Sequence, residues 1–368
     1  MRILQLGKFY PIRGGVEKVM EDLTQGLSGR GIPCDMLCAS FGKASRMQEI
    51  RLNADGRIIV VPSWSAASGT MIAPKMVSWL RRHAREYDII HIHHPDPMAC
   101  LALRLSGYKG RVILHWHSDI LKRKAVMALY RPLQSWLVRR ADTIVGTTPV
   151  YVEQSPCLQG VQNKVTYVPI FIEPVTIDPE AAAAVRNRFP GKKLIFSLGR
   201  LVPYKGYSHL VDAAKFLGPE YLLLIGGTGP LQGQLHQQIE AEGLEDRVLL
   251  LGRIDDAELP AFYGACDVFV MSSVMKTEAF GIVLTEAMSS GKPVVATRIP
   301  ESGVAWVNED GVSGLNVEPR NSEELAIAIR RICESGDAAR FSEGARNRFN
   351  QTFTYTQMID KIIDIYEN

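Results

Sequence analysis

No apolar run in this chain approaches the roughly 18 residues that a helix needs to cross a bilayer. The amino-terminal Met1-Arg2-Ile3-Leu4-Gln5-Leu6-Gly7 reads as a first strand and lacks the long apolar segment of a signal peptide. The expected location is therefore the cytosol. Cysteine is sparse and unpaired in pattern. Cys34, Cys38, Cys100, Cys157, Cys266 and Cys333 are scattered with no CxxC spacing, which points away from a disulfide framework and from a zinc site. Also missing after the first strand is the G-x-G-x-x-G fingerprint, which counts against a NAD-dependent dehydrogenase. No recognised nucleic-acid-binding motif accompanies the basic residues, so nucleic acid is not an expected partner.

What is present suits a soluble globular protein. The 368 residues are 46% hydrophobic and 22% charged, enough for two domains with a core each. The net charge of +3 hides an asymmetry: 23 Lys and Arg face 12 Asp and Glu through residue 172, and 19 face 27 beyond it. A basic half joined to an acidic half suggests two domains with different partners. The positive charge gathers at Arg81-Arg82-His83-Ala84-Arg85, Lys122-Arg123-Lys124 and Arg139-Arg140. Between the last two clusters run Ala125 to Tyr130, then Leu133, Trp136 and Leu137. This segment reads equally as a peripheral contact with an anionic membrane and as a core-packing helix with solvated ends.

Strand-like and helix-like segments alternate. Short β-rich runs at Arg2 to Leu6, Cys34 to Ala39, Arg57 to Val61, Ile89 to His93, Val112 to His115 and Thr143 to Gly146 enclose helical patterns such as Val16 to Leu27 and Met76 to Arg85. A second series starts at Leu194 to Leu198 and continues through Tyr221 to Ile225, Val248 to Leu251, Val268 to Met271, Val294 to Ala296 and Leu315 to Val317. The alternation predicts α/β architecture: two doubly wound parallel sheets covered by helices and facing a central cleft. The proline-bearing stretch Phe171 to Pro179 suits the linker. The expected domains are 1–172 and 173–353, with a helix over 354–368 crossing back to the first.

Candidate chemistry lies at strand ends, where parallel sheets place their ligand crevice. Glu278 and Glu286 stand eight positions apart around Ala279-Phe280-Gly281-Ile282-Val283. A loop carrying Glu278 and a helix starting near Phe280-Gly281 would aim free N–H groups at an anion, with Glu286 extending from within the helix. That layout suits a ligand with a sugar, a diphosphate and a ribose in line; the plain alternative is an amphipathic helix with two solvated carboxylates. Arg200 and Lys205, in the loop after the first strand of the second series, offer a guanidinium fork and an ammonium point charge for a diphosphate. Gly227 and Gly229 form a glycine-rich turn after the next strand, and Arg253-Ile254 after the following one offer backbone to a base. In the first half, Gly14-Gly15 sits at a turn into a helix and permits close approach of a phosphate. Histidines cluster in His91-Ile92-His93-His94 and His115-Trp116-His117. Their spacing is not that of known zinc enzymes, so no metal is expected. His117, at a strand end before Ser118-Asp119, is the one placed to touch a substrate.

In this order, Gly14-Gly15, His117-Ser118-Asp119, Gly199-Arg200 through Lys205-Gly206, Gly227 to Pro230, and Glu278 to Glu286 followed by Ala287-Met288 and Gly291-Lys292-Pro293 make the chain resemble the retaining glycosyltransferases of family 4. The resemblance implies the GT-B fold of two facing Rossmann-like domains. It also implies a nucleotide-sugar donor held mainly by the second domain and an acceptor held mainly by the first. Carried over, Arg200 and Lys205 bind the donor diphosphate, Glu278 grips sugar hydroxyls and Phe280 to Val283 form the phosphate-binding turn. Glu286 accepts from the ribose, His117 lies near the transferred sugar, and Gly15 gives a backbone contact. Val168 to Glu173 departs from the family's Asn-Gly-hydrophobic-Asp pattern. The implied reaction moves a hexose from a UDP- or GDP-linked donor to a glycan or lipid-linked glycan, in bacterial surface polysaccharide synthesis. No Asp-x-Asp metal signature is present and no cofactor is expected. The alternatives are a nucleotide-sugar epimerase or hydrolase working without an acceptor, and a non-enzymatic scaffold.

Overall fold

The structure, a computed structural model, describes residues 1–43, 46–67, 70–119 and 124–368. The chain divides into two compact units, Met1–Val168 with Met358–Asn368, and Pro169–Gln357. Both boundaries lie four residues from the expected 172 and 354. The cause is local: Ile172 N–H donates to Phe353 O at 3.3 Å, and the Phe171 and Tyr355 rings meet edge-on at 4.6 Å, so both connecting stretches are tied to the second unit.

The first unit is built on β1 (Ile3–Tyr10), β2 (Cys34–Lys43), β3 (Gln48–Arg51), β4 (Gly56–Ser63), a small pair β5 (Ser65–Ala67) and β6 (Thr70–Ile72), β7 (Ile89–His94), β8 (Arg111–Trp116), β9 (Thr143–Gly146) and β10 (Val165–Tyr167). Among the described residues its main sheet has the order β10-β9-β8-β7-β1-β2-β4-β3, parallel except for the β3 edge. That antiparallel edge went unread because Gln48-Glu49-Ile50-Arg51 is short and exposed, with no buried face to impose alternation. β1 also runs four residues past the expected Leu6, after an irregularity between Leu6 and Phe9. There Gly7 and Lys8 take left-handed φ of 140° and 56°, and Asp96 Oδ2 accepts the Lys8 N–H at 2.5 Å. The strand thus continues past a kink, where the expected reading ended it.

The second unit holds β11 (Lys193–Leu198), β12 (Tyr221–Gly226), β13 (Val248–Gly252), β14 (Val268–Met271), β15 (Val294–Thr297) and β16 (Gly314–Val317), all parallel in the order β13-β12-β11-β14-β15-β16. Strand alternation sorts its side chains onto two faces. Ile195, Leu223, Ile225, Val268, Val270 and Val295 pack in one cluster. Leu194, Phe196, Leu222, Leu224, Phe269 and Met271 pack in the other. Both faces are covered by helices, which is why these strands read as continuous apolar runs. The helix Tyr355–Glu367 places Tyr366 in the core of the first unit, 3% exposed. Among the described residues no helix is long and apolar enough to cross a membrane.

Candidate functional site

In the second unit the polar groups gather past the carboxyl ends of β11, β12 and β14. Lys205 closes a short turn, Pro203–Lys205, after β11. Its Nζ lies 2.5 Å from Glu278 Oε2, with both side chains only 12% exposed. Ser273 Oγ donates to the same oxygen at 3.0 Å. Glu278 Oε1 accepts from none of the described residues. An ammonium has three donors and this one commits one of them to Glu278, so two remain for an anion. Arg200 is exposed, and its guanidinium donates to Tyr204 Oη at 3.4 Å; Lys205 Nζ lies 5.6 Å from the same ring.

The segment bearing Glu278 is held from outside. Thr297 Oγ1 donates to Ser273 O at 2.5 Å, Ser302 Oγ donates to Glu278 O, and Gly303 N–H donates to Ala279 O at 3.0 Å. Lys276 pairs with Glu301 at 2.5 Å. The connection after β15 therefore fixes the connection after β14. Gly281, at φ 81°, turns the chain into the helix Ile282–Ser289, and no side chain caps that helix. Leu284 N–H donates to Gly281 O at 2.9 Å, which leaves the N–H groups of Ile282 and Val283 and the positive end of the dipole open to an anion. Phe280 anchors the turn, 4% exposed and edge-on to Phe353 at 5.8 Å. Ile282 and Val283 are partly buried against the same core.

One turn on, Glu286 Oε2 accepts from Tyr263 Oη at 2.5 Å. Burial pushes the Glu286 carboxyl above its usual range, against the opposing pull of that hydrogen bond. Tyr263 is 1% exposed, and burial beside Glu286 holds its phenol well above 10. Gly227 and Gly229 have a packing explanation. A Cβ on Gly227 (φ 126°) would sit 1.9 Å from Gly199 O, and one on Gly229 would sit 2.4 Å from Leu201 O. The two loops lie backbone on backbone, which requires glycine with or without a ligand. Arg253 has an 83% exposed side chain, and the Ile254 side chain is buried in the core, leaving its backbone for any contact.

In the first unit, Gly14 caps the helix Gly15–Gly29 with an extended φ of −144°, so the turn itself does not demand glycine. Of the charged clusters, Arg81 donates to Leu105 O and Arg140 to Gly110 O, so backbone carbonyls take up part of that charge; Arg104, outside them, stacks over Trp136. Lys122 and Arg123 lie outside the described residues, as do the side chains of 124–129.

The histidines fill the interior of this unit. His91, His93, His115 and His117 lie on one face with near-parallel rings, the last two 4.1 Å apart. His94 lies flat on Trp116 at 3.8 Å on the other. Burial pushes all five imidazoles down, His94 and His115 to about 3 and the others well below 6.5. They are therefore neutral near pH 7. His91, His93 and His115 have ring nitrogens within 4.8 Å of one another. Zinc–nitrogen bonds of about 2.0–2.1 Å require a tighter set. Both His93 nitrogens are also engaged, on His117 Nε2 at 2.9 Å and Gln5 Oε1 at 2.8 Å. Asp119 is occupied internally, accepting from Trp116 Nε1 and Ser155 Oγ.

Comparison with known proteins decides the family. The profile described as Glycosyltransferase Family 4 matches residues 13–175, and the profile described as Glycosyl transferases group 1 matches residues 179–348. The chain is 30% identical over 371 residues to the O-antigen chain mannosyltransferase C of Escherichia coli, covering 100% of this chain and 98% of that one. The chain belongs to glycosyltransferase family 4. It is also 28% identical to the D-rhamnosyltransferase WbpZ of Pseudomonas aeruginosa, over 96% of this chain and 92% of that one. Among solved structures, Anabaena Alr3699/HepE in complex with UDP superposes with a TM-score of 0.80 at 24% identity, covering 100% of both chains. Sucrose-phosphate synthase from Thermosynechococcus elongatus gives 0.78 at 22% identity, covering 100% of this chain and 98% of that one. The fold is GT-B and the protein is a glycosyltransferase; neither relative is named as an epimerase or hydrolase.

Several groups that shape the site escape sequence reading. Ser273, Ser302 and Tyr263 bond to Glu278 or Glu286 from 5, 24 and 23 positions away. Gln5 and Tyr366 meet across 361. Residue type at such separations carries no local signal.

Proposed function

We propose that this glycosyltransferase moves a hexose from a nucleoside diphosphate sugar to a hydroxyl of a glycan or lipid-linked glycan, with retention at the anomeric carbon and without a metal. The observation that carries this reading is the Lys205–Glu278 pair beside an uncapped helix start. Cleavage of the bond between the anomeric carbon and phosphate leaves negative charge on the diphosphate. Two free Lys205 donors, the exposed fork of Arg200 and the N–H groups after Gly281 supply positive potential where that charge grows. Glu278 Oε1 is available to sugar hydroxyls, and Glu286, with one oxygen already held by Tyr263, offers the other to ribose hydroxyls. A carboxylate bound by an ammonium and a hydroxyl is suited to holding hydroxyls, not to attacking carbon.

The relatives support a manno-configured sugar. Mannosyl- and rhamnosyltransferases match nearly the whole chain, and one relative 26% identical over 92% of it is named as GDP-mannose-dependent. A GDP-linked donor is therefore the first to try, with UDP sugars next, given the UDP complex of HepE. Acceptors follow from the O-antigen and lipopolysaccharide core names of the relatives, which suggest surface polysaccharide. Peripheral contact of the basic first unit with anionic lipid belongs to the same reading. A binding panel of UDP and GDP forms of glucose, galactose, N-acetylglucosamine and mannose tests it. Tight binding of one donor, with slow turnover until acceptor is added, is the expected result. Rapid turnover of the donor with no acceptor would replace the transferase with the hydrolase or epimerase.

A further inference from the structure

His117 ends a buried hydrogen-bonded relay whose members fix which of its nitrogens carries the proton. The relay starts at Tyr366 Oη, which accepts from Gln5 Nε2 at 3.1 Å and shares a hydrogen bond with His91 Nδ1 at 2.6 Å. In the structure the Gln5 amide turns Nε2 toward Tyr366 Oη at 3.1 Å and Cys34 Sγ at 3.8 Å. Its carbonyl Oε1 therefore faces His93 Nε2, 2.8 Å away, and a carbonyl only accepts. With the amide in this orientation, His93 carries its proton on Nε2. A neutral imidazole has one donor and one acceptor, so His93 Nδ1 is a bare lone pair. That lone pair faces His117 Nε2 at 2.9 Å, which puts the His117 proton on Nε2 as well.

We infer that Gln5, His93 and Tyr366 are positioning residues that hold His117 with an unprotonated Nδ1, an acceptor reserved for a hydroxyl of the transferred sugar. The hydroxyl assignment rests on the donor reading above; the relay does not. His117 is 7% exposed, against 0–1% for the other four members of the histidine group, and its Nδ1 meets no partner among the described residues. Gln5, His91 and His93 are fully buried, so water does not scramble the order of donors. The consequence is a specificity rule: His117 rewards a sugar position that donates a hydrogen bond and gives nothing to one that only accepts.

The full-length protein with histidine labelled in its ring nitrogens tests this by long-range proton–nitrogen NMR at pH 7. The expected spectrum shows His117 as the Nε2–H tautomer with a bare Nδ1. A proton on Nδ1, or an imidazolium, overturns the inference. In Gln5→Met the same signals should become a mixture of tautomers, with kcat lowered roughly tenfold, the scale of one hydrogen bond. Affinity for the nucleoside diphosphate alone should stay unchanged. An unaltered His117 tautomer in Gln5→Met also overturns it. If that variant does not fold, donor analogues serve in its place. At the sugar position whose deoxygenation no longer matters in His117→Ala, a fluoro donor should be as poor as the deoxy donor in the native enzyme. A fluoro donor close to native turnover would show that Nδ1 donates. Failure of any nucleoside diphosphate to bind would instead remove the donor reading and leave the tautomer result standing.

Discussion

The two sheets use their central strands in opposite ways. In the second unit β11, β12 and β14 bury mostly Leu, Ile, Phe, Val and Met on both faces, with Ser197 as a small buried hydroxyl within β11, and the charged groups gather past the strand ends. In the first unit β7 and β8 bury four imidazoles within the strands, with His117 one residue beyond. An apolar sheet is indifferent to pH and leaves chemistry to replaceable loops. A sheet cored with neutral histidines ties stability to protonation and carries its polar network through the interior.

The largest expected effect tests that contrast with acid. All five imidazoles have folded values depressed below 6.5, so the unfolded chain binds more protons as pH drops. Their contribution to stability is complete above 6.5 and is lost as pH falls from there toward about 3. Each histidine costs about 1.4 kcal/mol per pH unit once the unfolded form is fully charged. Hydrogen exchange followed by mass spectrometry near pH 5 should show lost protection in peptides of residues 1–168 while those of 193–317 stay protected. Equal loss in both would break the comparison.

Next in size is the loop chemistry of the second unit. Lys205→Ala removes a cation from the site and leaves Glu278 with Ser273 alone. Steady-state turnover should fall by about 100-fold or more, the usual scale for deleting a preorganised donor. Arg200→Ala should also slow turnover, yet its unfolding free energy should stay within about 0.5 kcal/mol of native because the side chain is exposed. Full turnover in the Lys205 variant would show that the strand-end groups are not the reacting machinery.

Smallest is the hold on Glu286. Tyr263→Phe deletes the 2.5 Å hydrogen bond and leaves the ring in its aromatic cluster with Phe196 and Phe269. Calorimetry should find nucleotide affinity weakened about five- to tenfold, the net value of an ordinary hydrogen bond. Glu286→Gln should weaken it similarly, and the double variant no more than either alone. Additive losses would mean that the two side chains act separately.

How much of this was legible follows from the same contrast. The apolar strands of the second unit stand out in sequence, and Val268 to Met271 is read to its exact bounds. The helix start near Gly281 and the placement of Glu278 on a loop were also readable, because glycine and chain direction are local signals. The kink at Gly7-Lys8 was not, since it depends on Asp96, 88 positions away. Nor was the Lys205–Glu278 pair, which the sequence shows only as two charges 73 residues apart. The histidine strands announced their alternation but not their partners, because Gln5 and Tyr366 arrive from elsewhere in the chain.

The docking of Tyr366 beside Gln5 has a consequence for synthesis. During translation, the first 168 residues are made before the helix that supplies partners to the Gln5 amide, the His91 imidazole and the Arg111 guanidinium. Arg111 later donates to the carbonyls of Ile365 and Tyr366. The intervening stretch takes about 10–40 s to make at typical ribosomal speeds. For that interval the first unit lacks the partners that satisfy these polar groups in the finished protein, and only the helix that ends at Glu367 brings them.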